Sequence, residues 1–404
     1  MQNRYKFSSL YERDFRIFWF AQLISLSGTW MHSTAQSWLV YLLTKSPLYL
    51  GIIATISSLP ILFFTLIGGM VADRYPKRDI LIVTQAVSII PAFFIAILID
   101  IDMITIWHIG IAAFILGLVN AFDVPARHAF IGELVGRADI TNAIALNSVA
   151  FNGARIVGPV IAVFIISIAG LQTCFYLNAA SFIPVILALL TIKAKGTGRL
   201  EQVGFLTDLI AGWGFIVREK AILFIMLMIA IFSLFGIPYL TLLPILAGDI
   251  LDVGAQGFST LLACAGLGSL AAALIIAYRE EIDKKSQFLM LSGFTFPSAL
   301  FGLAVSNDFY LSCILITIVG WGITSFLATS NSFIQHSVPD SLRGRVMSFY
   351  TLVFLGFLPV GNAITGYVAD IFGTMTVLRV FSLFCLFCSI IFALKLSSVK
   401  GSDI

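Results

Sequence analysis

The sequence predicts an all-α integral membrane protein with twelve transmembrane helices, arranged as two pseudo-symmetric bundles of six. Three observations predict this fold: an apolar composition, apolar runs of membrane-spanning length, and a weak repeat of the first half of the chain in the second. Of the 404 residues, 59% are hydrophobic and 11% are charged, whereas soluble domains carry about 25% charged residues. Lipid is therefore the solvent that this composition requires.

The apolar runs are each roughly 20 residues long, which is the length that crosses the hydrocarbon core of a bilayer as a helix. They are continuous rather than alternating, so they indicate helices and not the strands of a membrane barrel. The first run is too long for a cleavable signal peptide and lacks its small-residue cleavage site, so we expect it to remain. The predicted spans are 15–43, 49–72, 79–100, 103–125, 141–168, 171–192, 221–246, 256–278, 286–305, 309–334, 345–370 and 374–396.

The distribution of Lys and Arg predicts the orientation of the chain. If the N-terminus is cytoplasmic, all but three of the 24 Lys and Arg residues fall in cytoplasmic segments, and the exceptions are Lys45, Arg155 and Arg379. Cytoplasmic loops are enriched in these residues. We therefore expect an even number of spans with both termini in the cytoplasm.

An internal repeat predicts how the spans are grouped. A shift of 203 residues brings Gly117, Gly158 and Gly170 into register with residues of the same type in the second half, Gly320, Gly361 and Gly373. The shift is half the chain length, so it implies two parallel six-helix halves, 1–192 and 221–404, joined by a cytoplasmic linker, 193–220. Such halves are a known plan of transporters, with a binding site near the midplane.

The linker itself has apolar residues at helical spacing, which predicts an amphipathic helix on the cytoplasmic surface. The alternative is a simple extension of the seventh span. The apolar positions are Phe205, Leu206, Leu209, Ile210, Trp213 and Val217.

The loop after the second span, Gly69–Arg78, has the sequence GMVADRYPKR. It resembles motif A of the major facilitator superfamily, G-x-x-x-D-R-x-G-R-[KR], with Pro76 and Lys77 where Gly and Arg are usual. A Gly here lets two helices pack closely, and an Asp at a helix N-terminus complements the helix dipole. We expect an ion-pair cluster of Asp123 with Asp73 and Arg78 that holds the inner gate closed. Direct proton transport is the alternative role of Asp123. The predicted gate residues are Gly69, Asp73, Arg74, Arg78 and Asp123.

Further stretches, Ser46–Gly51, Phe122–Arg127, Asn142–Ser148 and Gly212–Lys220, resemble the third drug:proton antiporter family of that superfamily. The resemblance implies export powered by the proton gradient and leaves the substrate open. The Gly158-Pro159 pair resembles the end of motif C of antiporters, although Ala154 and Ala162 replace two of its glycines. A Gly beside a Pro gives a thin, bent helix surface.

Polar residues inside the spans are the candidates for a substrate cavity. Arg155 lies deep in the fifth span, where a charge costs at least about 2.5–3.5 kcal/mol, so it either faces an anionic group or hydrogen-bonds helix carbonyls. Gln22, Ser25, Thr29, His32 and Gln36 share one face of the first span. His32 titrates near neutral pH, so it is either a proton carrier or a packing residue. The full predicted set is Thr29, His32, Gln36, Asn147, Asn152, Arg155, Thr324, Ser325, Thr329 and Asn362.

The sequence shows no nucleophile triad, metal-ligand spacing or phosphate-binding loop, so we expect no enzyme activity, metal, cofactor or nucleic-acid partner. Cys385 and Cys388 lie one helical turn apart in an apolar run, which favours core packing over a redox site. We predict a monomeric secondary active transporter, surrounded by lipid, that exports a small amphipathic siderophore or drug-like molecule by alternating access and proton antiport. A lipid or lysophospholipid flippase and a solute importer are the alternatives.

Overall fold

The computed structural model describes residues 8–192, 213–278 and 285–400. These residues are helical apart from short turns and form two compact units. The first unit takes in the chain up to Thr44 and from Ile56 through the sixth helix, and the second takes in Lys45–Thr55 and the chain from the seventh helix onward. The linker residues 193–212, which include most of the predicted amphipathic helix, lie outside the described residues. The half boundaries at 192 and 221 therefore remain a prediction.

Six helices precede the linker. A short 3-10 turn, Ser8–Tyr11, leads into the first of them. In order they are α1 (Arg13–Thr44), α2 (Pro47–Arg74), α3 (Lys77–Asp100), α4 (Ile106–Gly136), α5 (Asp139–Ala169) and α6 (Leu171–Thr191).

Six helices follow the linker. They are α7 (Lys220–Ile250), α8 (Gly254–Tyr278), α9 (Lys285–Val305), α10 (Phe309–Ser337), α11 (Asp340–Phe372) and α12 (Thr374–Lys400). Among the described residues, the 11 helices α2 to α12 are long and apolar enough to cross a membrane. With its 32 residues α1 is also long enough, but its polar stripe lowers its mean hydropathy. The predicted count of twelve spans is consistent with this arrangement.

The fourth span is longer than its predicted limits of 103–125. It continues to Gly136, where a φ of 68° and a ψ of 175° interrupt the helix, a conformation that costs glycine little. The charged residues after Phe122 resemble a loop in the sequence, but in the structure they belong to α4 and pair inside the first unit. At 1.5 Å per residue, Asp123 lies about 20 Å from the end of α4. Its predicted place near the cytoplasmic end of the fourth span stays a prediction.

The seventh span contains two π-helical turns, Phe232–Gly236 and Leu246–Ile250. A π turn holds one residue more than the regular helix and widens it locally. Gly361 of α11 packs against the first of these turns, where a Cβ would lie 2.5 Å from the Ser233 carbonyl oxygen. Only glycine permits so close an approach, so the wide turn and Gly361 form one packing unit.

The first turns of α2 pack on α11 within the second unit. A Cβ on Gly51 would lie 2.6 Å from the Asn362 carbonyl oxygen and 2.8 Å from the Cα of Gly366. The Thr55 hydroxyl donates to the Pro359 carbonyl oxygen at 3.0 Å. Two glycines facing each other thus allow backbone-to-backbone contact.

The described end of the linker, residues 213–218, is helical and separated from α7 by Glu219. Ile216 is buried, whereas Trp213 and Val217 are about half exposed. The Trp213 ring lies 5.8 Å from the ring of Phe349 on α11. This turn is therefore distinct from α7, and its buried residue is Ile216.

Candidate functional site

The polar stripe of α1 is largely buried inside the first unit. Gln22, Ser25 and His32 are all at most 4% exposed. The Nε2 atom of His32 lies 3.2 Å from Oε1 of Gln36, and the imidazole packs edge-to-face on Phe175 of α6 with the ring centres 4.8 Å apart. The expectation that His32 lines an open cavity is therefore wrong, because the neighbouring helix covers it. Thr29 and Gln36 on the same stripe are partly exposed.

A hydrogen-bonded network connects this stripe to Asp123, which is 1% exposed. The Thr84 hydroxyl and the Gln85 side-chain amide of α3 each donate to Oδ1 of Asp123 at 2.9 Å. Arg127, one helical turn further along α4, forms an ion pair with Oδ2. The Ser25 hydroxyl of α1 in turn donates to Oε1 of Gln85 at 3.4 Å. The network thus joins α1, α3 and α4 around one buried carboxylate.

The ion-pair cluster expected from motif A has different members in the structure. Asp123 pairs with Arg127 and not with Arg78, whose guanidinium donates to the Leu190 carbonyl oxygen at 3.3 Å. Asp73 and Arg74 are exposed at the end of α2. The expected pairing of Asp123 with Arg78 is therefore wrong, because α4 extends far enough to supply its own arginine to Asp123.

The glycine of close helix packing is Gly68 and not the predicted Gly69. A Cβ on Gly68 would overlap the Ala121 carbonyl oxygen of α4, whereas a Cβ on Gly69 would meet no atom of the described residues within 4 Å. One residue turns a helix position by about 100°, so the two glycines face different sides. Gly68 is the residue that lets α2 and α4 approach.

A second ion pair joins the start of α3 to the last turns of α4. Nζ of Lys77 lies 2.9 Å from a carboxylate oxygen of Glu133, and the Lys77 side chain is 8% exposed. The sequence reasoning missed Glu133 because it placed the end of the span before it. The signal that could have indicated this pair is a basic and an acidic residue, Lys77 and Glu133, each within one helix length of an apolar run.

Arg155 lies near the middle of α5, beside aromatic side chains. Its guanidinium carbon is 5.9 Å from the centre of the Trp30 ring on α1, within the range of a cation–π contact. Trp30 also meets Phe151 edge-to-face at 5.7 Å. All three side chains are partly exposed. They form a platform, here called the Arg155 platform, with a cation beside two aromatic faces at membrane depth.

Small residues on α5 allow α1 to lie beside this platform. A Cβ on Gly158 would overlap the Cβ of Trp30, and Pro159 follows it inside the helix. Three alanines of α5 are also buried: Ala150, Ala154 and Ala162. With Gly158 they place a small residue at every fourth position of the helix. The alanines that replace two motif C glycines thus occupy the same packed stripe.

The remaining predicted cavity residues divide by exposure. Ser325 and Thr329 of α10 are fully buried, and Asn362 of α11 is nearly so and accepts from the Thr241 hydroxyl at 3.1 Å. Thr324, Asn147 and Asn152 are partly exposed, and the Asn152 amide donates to the Ser148 carbonyl oxygen of its own helix at 2.9 Å. Their greater exposure favours Thr324, Asn147 and Asn152 as ligand contacts over the buried Ser325, Thr329 and Asn362.

The first unit also has a groove between α2, α3 and α4, with a volume of about 450 Å³. The sequence did not indicate it. Thr84 lies in its wall, and this is the hydroxyl that donates to Asp123. The other lining residues are mostly apolar and include Val71, Tyr75, Ile80, Val83, Leu118 and Phe122.

Known proteins resemble the chain over nearly its whole length. The staphyloferrin A transporter of Staphylococcus aureus is 26% identical over 91% of this chain and 92% of its own. The enterobactin exporter of Escherichia coli is 23% identical over 87% of this chain and 84% of its own. A crystal structure of a bacterial homolog of the human lysosomal transporter Spinster superposes with a TM-score of 0.75 at 10% identity, covering 94% and 96% of the two chains.

The family model described as transmembrane secretion effector matches residues 5–403. The match includes all twelve helices and both predicted halves. The structural likeness independently supports the same fold. The chain therefore belongs to the transmembrane secretion effector family of the major facilitator superfamily.

Proposed function

We propose that this transporter exports a small amphipathic organic molecule with an anionic group, by alternating access and in exchange for protons. Its family and its relatives support transport, and the enterobactin exporter supports the outward direction. The same relatives do not favour the importer or the lipid flippase. The exposed Asp73 and Arg74 at the end of α2 are the proposed inner-gate residues. The transporter acts as a monomer with both termini in the cytoplasm.

The Arg155 platform is the observation that carries the substrate class. Arginine at membrane depth is costly unless an anion, a π system or backbone carbonyls compensate it. Trp30 supplies one face, 5.9 Å away, and partial exposure leaves the platform open to a ligand. A molecule with an aromatic or apolar body and a carboxylate or phenolate would engage both the ring and the guanidinium.

Inverted membrane vesicles test this proposal, with two dyes of one xanthene scaffold as probes. Carboxyfluorescein carries an anionic group, and a rhodamine ester carries a cationic one. We expect an acidic vesicle interior to drive accumulation of carboxyfluorescein, and a proton uncoupler to abolish it. Dye content is measured after lysis in one buffer, which removes the pH dependence of fluorescence. Accumulation that resists the uncoupler, or a preference for the rhodamine, would contradict the proposal. Staphyloferrin A and enterobactin are the natural compounds to test next.

A further inference from the structure

We propose that Asp123 is the residue that binds the transported proton, and that its protonation breaks the ion pair with Arg127. This inference rests on the proposed function, because it assigns a residue to proton antiport. It replaces the gate role that the sequence suggested for Asp123. Three observations carry it: burial, the arrangement of hydrogen-bond donors, and the groove beside Thr84.

Asp123 is a buried acid in the interior of α4. It lies about 20 Å from the helix end at Gly136 and is 1% exposed. Ionisable residues buried within a span are rare, because they are costly, and they mark substrate or proton pathways.

The hydrogen-bond donors around Asp123 suit an ionised carboxylate. Oδ1 accepts from Thr84 and Gln85, and Oδ2 accepts from the Arg127 guanidinium. A carboxylate has about four lone-pair positions, so one position on Oδ2 is left for a proton. Binding the proton forms one O–H bond and removes the negative charge of the carboxylate, so the ion pair with Arg127 is lost.

Protonation changes the net charge of the Asp123–Arg127 pair, and this change favours a different conformation of the protein. The ionised pair has no net charge, and protonation leaves Arg127 as a buried cation. Among the described residues, its Nε has no hydrogen-bond partner to stabilise it. An uncompensated buried charge is strongly unfavourable, so the protonated protein favours a conformation in which Arg127 is hydrated. Proton binding thus shifts the conformational equilibrium.

α3 presents the neutral Thr84 and Gln85 to Asp123, and α1 presents the neutral Ser25 through Gln85. Asp79 of α3 also lines the groove, but it is exposed and is therefore not a buried acid. Beyond Arg127 on α4, the next titratable groups are His128 and Glu133, and Glu133 is paired with Lys77. Thr84 also lines the groove that reaches Tyr75 and Pro76 at the end of α2. Its hydroxyl can both donate and accept, so it connects the groove to the carboxylate.

Infrared difference spectra between acidic and alkaline buffers test the proton site without any substrate. We expect the wild-type protein in lipid to show the carbonyl stretching band of a neutral, buried carboxylic acid at acidic pH. Asp123→Asn removes this band, whereas Asp102→Asn keeps it. Asp102 is an exposed turn residue with a φ of 55°, which Asn tolerates. A band that persists in Asp123→Asn, or no such band in the wild type, would overturn the assignment.

Transport separates this inference from the proposed function. In reconstituted vesicles, Asp123→Asn should still move carboxyfluorescein down its gradient faster than protein-free vesicles do, at a rate that no longer responds to a proton gradient. Its proton-driven accumulation should fall to the level of protein-free vesicles. If the wild type itself is not proton-driven, the proposed antiport fails. If both proteins are equally proton-driven, antiport stands and Asp123 is not its proton site.

The double variant Asp123→Asn/Arg127→Gln guards against misfolding. It removes the cation that the single variant leaves unpaired, so it should unfold at a higher temperature than Asp123→Asn. We expect it to lack both the infrared band and proton-driven accumulation. Recovery of either would refute the role of Asp123, whatever the stability of the single variant.

Discussion

Gly158 of α5 lies directly against Trp30 of α1, so closely that a methyl group on Gly158 would overlap the Trp30 Cβ. Gly158→Ala should therefore destabilise the first unit by about 1–3 kcal/mol, the usual cost of overpacking. Gly153→Ala on the same helix is the control, because a Cβ there meets no described atom within 4 Å. Thermal unfolding of the purified protein should show a lower midpoint for Gly158→Ala only. Equal midpoints would contradict the close packing of α1 and α5.

Arg155→Gln should weaken transport of the anionic dye more than transport of the cationic one. A hydrogen bond between charged groups contributes about 1.5–3 kcal/mol, so the KM for carboxyfluorescein should rise about tenfold or more. The matched control is Arg379→Gln, whose arginine is also in a helix but donates to the Ala304 carbonyl oxygen at 2.9 Å. An unchanged KM in Arg155→Gln would remove this residue from the binding site.

His32→Gln should retain proton-driven transport. The imidazole is 4% exposed and packs on Phe175, so its contribution is to packing and to the hydrogen bond with Gln36. His32→Ala should lower the unfolding temperature, since it creates a cavity beside Phe175. Loss of proton-driven accumulation in a stably folded His32→Gln protein would restore the proton-carrier interpretation.

Breaking the pair of Lys77 and Glu133 should destabilise the first unit from either side. Removing one partner of a buried pair costs about 3–5 kcal/mol, and partial exposure of Glu133 reduces this figure. Lys77→Met and Glu133→Met should each lower the unfolding temperature, whereas the double variant should recover much of the loss. Arg74→Met, at an exposed position, should change it little. Additive losses in the double variant would show that the two residues do not interact.

Reporter fusions test the predicted orientation. Green fluorescent protein at the C-terminus should fluoresce, and alkaline phosphatase at the same place should be inactive, because the basic residues predict that both termini lie in the cytoplasm. Phosphatase inserted after Asp252, in the turn between α7 and α8, should be active. The opposite pattern would invert the topology and with it the assigned direction of export.

Much of the fold follows from composition, whereas the site depends on tertiary partners. The apolar runs predict twelve spans because lipid imposes their length. The end of α4 was mispredicted because Arg127 and Glu133 look like loop residues until their partners are known. The polar face of α1 was predicted, but only the packing of Phe175 shows that His32 is covered. The four-residue spacing of Asp123 and Arg127 was a readable signal of a helical ion pair.

The wide turn at Phe232–Gly236 bears on how α7 responds to a change of a single codon. The turn holds one residue more than a regular helix, so removing that residue would return it to regular geometry and leave the face beyond it nearly unchanged. A residue inserted at a regular turn before Thr241 would instead rotate everything beyond it by about 100°. Thr241 would then no longer point at Asn362, to which its hydroxyl now donates at 3.1 Å. The wide turn is thus the place where the length of α7 can change by one codon while the same face still meets α11.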